Sequence, residues 1–158
     1  MSRILGIDLG ERRVGLAVAD AGVGIARPLT TVARGRDLAA DAQILRRVCA
    51  AEGVTEIVVG LPVEASGVEG PMATAVRRWI DELGPMLGLP ISVRDERLSS
   101  FEAERRLGRM PRGRTGGPPS RTRRNAFRAR IDREAAAIIL QDELDARRAT
   151  GAIAGDPE

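Results

Sequence analysis

An α/β domain built on a mixed β-sheet is the fold class that this chain predicts. Two patterns carry the expectation. The chain opens with two short apolar runs separated by a polar turn, which is how a β-hairpin reads. After that, stretches with helical periodicity alternate with short apolar runs, which places helices on the faces of a sheet. The length of 158 residues suits one domain, and a 43% hydrophobic content is enough for a proper core. No repeat with a period of roughly 20–50 residues is visible, so a solenoid is excluded.

The elements follow in order. Arg3 to Leu9 reads as a strand and Arg13 to Ala19 as its partner, joined by the turn Gly10-Glu11-Arg12. Ile25 to Val32 reads as a third strand, and Pro28 favours an edge position or a bulge. A helix is expected from about Asp37 to Glu52, where Leu38, Ile44, Leu45 and Val48 recur at near-helical spacing and Gly53 stops it. Glu56 to Gly60 holds the apolar run of a buried strand, and Leu61-Pro62 opens a loop. Pro71 suits the first turn of a helix to about Leu87, striped by Met72, Val76, Trp79, Ile80 and Leu83. Ile91 to Arg94 is a short strand ending in Asp95-Glu96-Arg97. Ser99 or Ser100 can cap a helix through about Leu107. Gly108 to Ser120 holds four Gly and three Pro and is irregular. A last helix is expected from about Ile131 to Arg148. The expected organisation is one domain over residues 1–148, with 109–130 a flexible arginine-rich loop and 149–158 a disordered tail.

Composition narrows the chemistry. There is no histidine and a single cysteine, Cys49. A zinc site is disfavoured, and nucleophile systems activated by histidine are excluded. A lone cysteine forms no internal disulfide and points to a reducing cytoplasm. The longest apolar run is far short of the ~20 residues of a membrane span. Every one of the 25 basic residues is Arg. Ten of them lie between Arg105 and Arg130 without a single acid, leaving 15 Arg against 22 acids elsewhere. The net +3 therefore averages a mildly acidic body and a strongly basic segment. Such asymmetry suggests a polyanionic partner, although a merely solvated basic face would look the same.

Three carboxylates stand at the ends of expected elements. Asp8 lies within Ile4-Leu5-Gly6-Ile7-Asp8-Leu9-Gly10. Strand alternation puts it on the face of Gly6, opposite Leu5 and Ile7. Burying it demands a partner such as an Arg, backbone donors or a cation, or else it makes a turn hydrogen bond. Asp95 and Glu96 follow a strand, where sites in α/β sheets collect, or they are loop acids paired with Arg97. Asp132 opens the last helix as a ligand or as a favourable first-turn acid, and Glu134 is a further acid nearby. Acids drawn from distant positions suit Mg2+ or Mn2+, which prefer carboxylate oxygens. Two such ions support phosphodiester cleavage without any imidazole.

Gly6-Ile7-Asp8-Leu9-Gly10-Glu11-Arg12-Arg13-Val14-Gly15-Leu16-Ala17 reads G-x-D-x-G-x-x-R-x-G-x-A, and this resembles the opening motif of the YqgF/RuvX family. Val59-Gly60-Leu61-Pro62 resembles its V-G-L-P, and Asp95-Glu96-Arg97-Leu98-Ser99-Ser100 its D-E-R-L-[ST]-[ST]. Asp132, followed by Ala135-Ala136-Ala137-Ile138-Ile139-Leu140, resembles its terminal D-x-x-A-A-x-x-I-L. The segments run in order from about residue 4 to 144. The resemblance implies an RNase H-like fold, a mixed five-stranded sheet with a hairpin start flanked by helices. It also implies a nuclease, described both as a Holliday-junction resolvase and as maturing the 5′ end of pre-16S ribosomal RNA. Matched residue by residue, it implies Asp8, Glu96 and Asp132 as catalytic metal ligands, with Mg2+ or Mn2+ as cofactor.

On that reading arginines hold the phosphate backbone, because Arg binds phosphate bidentately. Arg13 and Arg97 are the candidates near the site, and Arg121, Arg123, Arg124, Arg128 and Arg130 those of a wider groove. The expected partner is an RNA precursor or branched DNA, with no membrane, and symmetric junction cutting would call for a homodimer. One alternative is a non-catalytic nucleic-acid-binding factor acting on ribosomal RNA precursors. Another is a nucleotide-binding module of the sugar-kinase and actin kind, but those need two lobes.

Overall fold

The computed structural model describes residues 2–64, 66–96, 99–110 and 112–151. Its elements are β1 (Arg3–Leu9), β2 (Arg13–Asp20), β3 (Arg27–Ala33), α1 (Leu38–Glu52), β4 (Glu56–Pro62), α2 (Pro71–Leu87), β5 (Ile91–Glu96), α3 (Ser99–Leu107) and α4 (Arg121–Ala149). The five strands form one sheet in the order β3-β2-β1-β4-β5. β1, β2 and β3 are antiparallel neighbours, whereas β4 and β5 run parallel to β1. This is the mixed sheet with a hairpin start expected from the sequence.

Side-chain alternation gives the sheet two unlike faces. Leu5, Ile7, Val14, Leu16, Val18, Ile57, Val59 and Leu61 point one way. They pack on Leu45 and Cys49 of α1 and on Val76, Trp79 and Leu83 of α2. The other face carries Gly6, Gly15, Ala17, Ala19 and Gly60, and there α4 lies directly on the sheet. Small residues are needed because a helix backbone comes so near. A Cβ at Gly15 would stand 2.0 Å from the Asp132 carbonyl oxygen, and one at Gly6 would stand 2.8 Å from Leu140 Cβ. α3 packs on the outer side of α4, with Ala103 buried against Ala135 and Ile138.

Several boundaries differ from the sequence expectation. β3 begins at Arg27 rather than Ile25, because the Ala26 N–H is taken by the Gln141 side chain (2.9 Å) instead of the ladder. Pro28 does sit on an edge strand beside a register shift. β4 continues through Leu61 and Pro62 because β5 supplies partners for them in Asp95 and Glu96.

The largest difference is α4. It starts at Arg121, so 121–130 is not loop but the first third of a 29-residue helix. The Ser120 hydroxyl accepts from Arg123 N–H (3.2 Å) and caps it. Arginine is a good helix former, and residues 121–149 include neither Gly nor Pro. Phe127 is buried, and the Thr31 hydroxyl donates to the Ala129 carbonyl, which ties this part of the helix to β3. Tertiary contact therefore overrides the repulsion among the arginines. The irregular stretch is confined to residues between α3 and Ser120. At the other end α4 reaches Ala149, and the remainder of the expected tail from residue 152 lies outside the described residues.

Candidate active site

Asp8 is the next residue after Ile7 on β1 and faces α4, as strand alternation from Gly6 requires. Its ladder partner on β2 is Gly15, the residue on which the Asp132 backbone rests. The bare strand surface at Gly15 thus lets the first sheet-covering turn of α4 bring Asp132 to Asp8. Burial pushes the Asp8 carboxyl up to about 7, and the neighbouring Asp132 charge pushes it the same way. Asp132 is itself held by Arg13, whose Nε donates to Oδ2 at 2.6 Å.

Glu96 ends β5 on the α4-facing side, two residues after Arg94. It is largely buried, and its carboxyl is pushed up to about 8. Burial is the main cause, followed by a hydrogen bond shared with Asp142 of α4 and by that residue's charge. Arg94 acts in the opposite sense, with Nε 4.0 Å from Glu96 and Nη1 3.8 Å from Glu143. Ten residues of α4 separate Asp132 from Asp142, about 15 Å along a helix axis. Asp8 and Asp132 are therefore brought together, while Glu96 lies on the same face engaged with a different turn of α4. Among the described residues no three acids converge as a cluster that could hold a metal ion.

The remaining acids divide simply. Glu134 is occupied by Arg106 of α3 (3.2 Å). Asp95 is exposed, since its neighbours in β5 alternate with it toward α4. The donor set fits a hard cation: two neighbouring carboxylates, of which Asp132 is held by Arg13 while Asp8 is buried with its carboxyl pushed upward. Mg2+ commonly takes only one or two carboxylates and keeps its waters.

Beside this pair the arginines make a cavity of about 550 Å3, lined by Arg12, Arg13, Arg121, Arg124, Asn125 and Arg128. It contains no acid. Arg13, Arg121, Arg124 and Arg128 were expected from the sequence; Arg12 was not, because it belongs to the hairpin turn rather than to the basic segment. Arg123 turns elsewhere, donating from Nη1 to the Arg112 carbonyl (2.8 Å). Arg130 is exposed on α4 and does not line this cavity. Arg97 lies outside the described residues. Asp142 also escaped the sequence reading, since nothing in its local pattern announces a partner on β5.

Residues 2–146 match the model of a family described as RuvX, Holliday junction resolvase. The chain belongs to the RuvX family. Similar proteins include one from Chloroflexus aggregans named "Putative pre-16S rRNA nuclease", 45% identical over 145 residues, covering 92% of this chain and 94% of that one. Another, of the same name, comes from Anaeromyxobacter dehalogenans, at 47% identity over 92% of this chain and 98% of its own. Among solved structures, T. thermophilus RuvC in complex with a Holliday junction substrate superposes with a TM-score of 0.52. It is 14% identical, and the alignment covers 94% of this RuvX chain and 97% of RuvC. The fold of this RuvX protein is RNase H-like.

Proposed function

We propose that this RuvX protein is a divalent-metal-dependent nuclease that cleaves structured nucleic acid, with precursor ribosomal RNA as the leading substrate. Family membership makes it a hydrolase of nucleic-acid ester bonds. The observation that carries the finer reading is the Asp8–Asp132 pair set beside an acid-free arginine cavity. Asp8 and Asp132 would hold Mg2+ or Mn2+, with Glu96 joining them once released from Asp142. The ion would supply a water activated at neutral pH and charge stabilisation at the leaving oxygen. Arg13 holds Asp132 in place and, with Arg12, Arg121, Arg124 and Arg128, positions the phosphate backbone without reading bases.

The start of α4 supports an anionic partner independently. Arg121, Arg123 and Arg124 stand in its first turn, where the helix dipole disfavours cations. A bound polyanion relieves both that dipole conflict and the mutual repulsion. The relatives at 45–47% identity favour ribosomal RNA precursors, while the family description favours branched DNA. Symmetric cutting of a junction would need a homodimer; RNA trimming would not. Among the described residues no helix is long and apolar enough to cross a membrane, and the buried free Cys49 suits a cytoplasmic setting.

One assay tests this reading. The purified protein is offered a four-way junction and a precursor-like RNA, with Mn2+, Mg2+ or EDTA, and solution mass is recorded alongside. Metal-dependent cleavage that Asp8→Asn reduces more than about 100-fold supports it, since losing a residue that only orients a metal ligand costs about 10–100-fold. Binding that ignores EDTA, with no cleavage by parent or variant, would make the protein a non-catalytic factor.

A further inference from the structure

The chain has three aromatic side chains in all, two Phe and one Trp. Trp79 is buried and donates to Asp41 in the core. Both phenylalanines line a single cavity of about 660 Å3 between α3 and α4, inside the basic segment. On α3 it is lined by Phe101, Glu104 and Arg105, spaced i, i+3 and i+4 on one face of the helix, and by Gly108 just past its end. Arg109 and Met110 of the loop after α3, with Phe127, Arg128 and Ile131 of α4, form the rest. Phe127 is buried as the floor, whereas Phe101 is 57% exposed at the wall.

We propose that this cavity is a subsite for one unpaired nucleobase of the substrate strand. The proposal deepens the nuclease reading and rests on it. An apolar slot with an open aromatic wall offers stacking to any base, since every base has a π-face. Arg105, Arg109 and Arg128 at the edge supply positive charge for the phosphates on either side, with Glu104 the one lining acid. Arg128 lines this cavity and also the arginine cavity beside Asp132, so one strand can pass from the backbone clamp to the stacking slot. The volume suits a small organic group, for which pockets run roughly 300–1,000 Å3. A paired base is hidden in its stack and cannot enter. The site therefore selects substrates with an unpaired nucleotide near the cleavage point, such as a single-stranded end or a junction crossover.

The test measures binding in EDTA, where cleavage is off, using a single-stranded RNA with one 2-aminopurine and the same RNA in a full duplex. Stacking in the slot quenches the fluorophore of the single strand. Phe101→Ala should lower single-strand affinity about tenfold and abolish the quench, while Phe101→Trp retains both. Duplex affinity should change less than about twofold, since a paired base makes no such contact. Phe101 is half-exposed, so its truncation leaves the melting temperature near the parent value. Equal weakening on both substrates, or unchanged binding and quench, would overturn the proposal. So would a parent dimer that Phe101→Ala dissociates, which would make the slot a self-interface. Quenching without any cleavage in Mn2+ would leave the subsite standing and sink the nuclease reading; cleavage without quenching would do the reverse.

Discussion

Gly15→Ala tests how the fold builds the site. The added Cβ would meet the Asp132 carbonyl oxygen at 2.0 Å, its carbonyl carbon at 2.3 Å and Arg133 N at 2.9 Å. All three are backbone atoms of one helix, so no side-chain rotation relieves the contact. Ordinary contact begins near 3.4 Å, so α4 must retreat by about 1.4 Å. Overpacking of this kind costs about 1–3 kcal/mol, part of it offset by the lower entropy of alanine in the unfolded chain. For a chain of this size the melting temperature should fall by roughly 3–8 °C. The retreat also carries Asp132 away from Asp8, and a displacement near 1 Å at reacting groups can cost about 100-fold in rate. The control is Gly60→Ala, whose Cβ meets mainly the rotatable Ile139 side chain, with Cδ1 at 2.4 Å. Thermal unfolding and single-turnover cleavage should show Gly15→Ala impaired in both and Gly60→Ala much less so. Parental rate and melting temperature for Gly15→Ala would refute the idea that close helix seating sets the Asp8–Asp132 pair.

Other expectations concern charge. Asp8 holds its proton in the folded state up to about 7 but releases it near 3.8 when unfolded. The unfolded state therefore binds fewer protons in that window, and metal-free stability falls as pH rises through it, by at most on the order of 4 kcal/mol. Asp8→Asn should flatten that decline, and Mg2+ should reverse it in the parent alone; identical pH profiles of melting temperature for parent and variant would count against it. Asp41 is only 4% exposed and accepts from Arg34 Nε (2.9 Å), Gly35 N–H (2.6 Å) and Trp79 Nε1 (3.3 Å). Asp41→Ala should cost about 3–5 kcal/mol in urea unfolding while leaving nucleic-acid affinity intact where the protein is folded. Arg12→Ala and Arg124→Ala should each weaken binding to all sequences alike and reduce the slope of log affinity against log salt by about 1. A slope that stays at the parental value would take those arginines out of the phosphate contacts.

Much of the architecture was legible in residue order. Alternation in β1 separated Leu5 and Ile7 from Gly6 and Asp8, and the strand faces as that pattern requires. Periodicity placed α1 and α2, because each buries one stripe. The basic segment, the missing histidines and the motif acids were visible as residue types. Tertiary structure decided what they meet. Whether arginines at 121–130 form loop or helix depends on a cap at Ser120 and on burial of Phe127, and local charge density cannot report either. The company of Glu96 depends on how far along α4 the end of β5 falls, which set it against Asp142 rather than Asp132. The meeting of Phe101 with Phe127 depends on how α3 packs across α4. Sequence pattern determines which face of an element a residue occupies, because strand and helix periods are local. Only the packing of elements distant in the chain determines which residue it touches there.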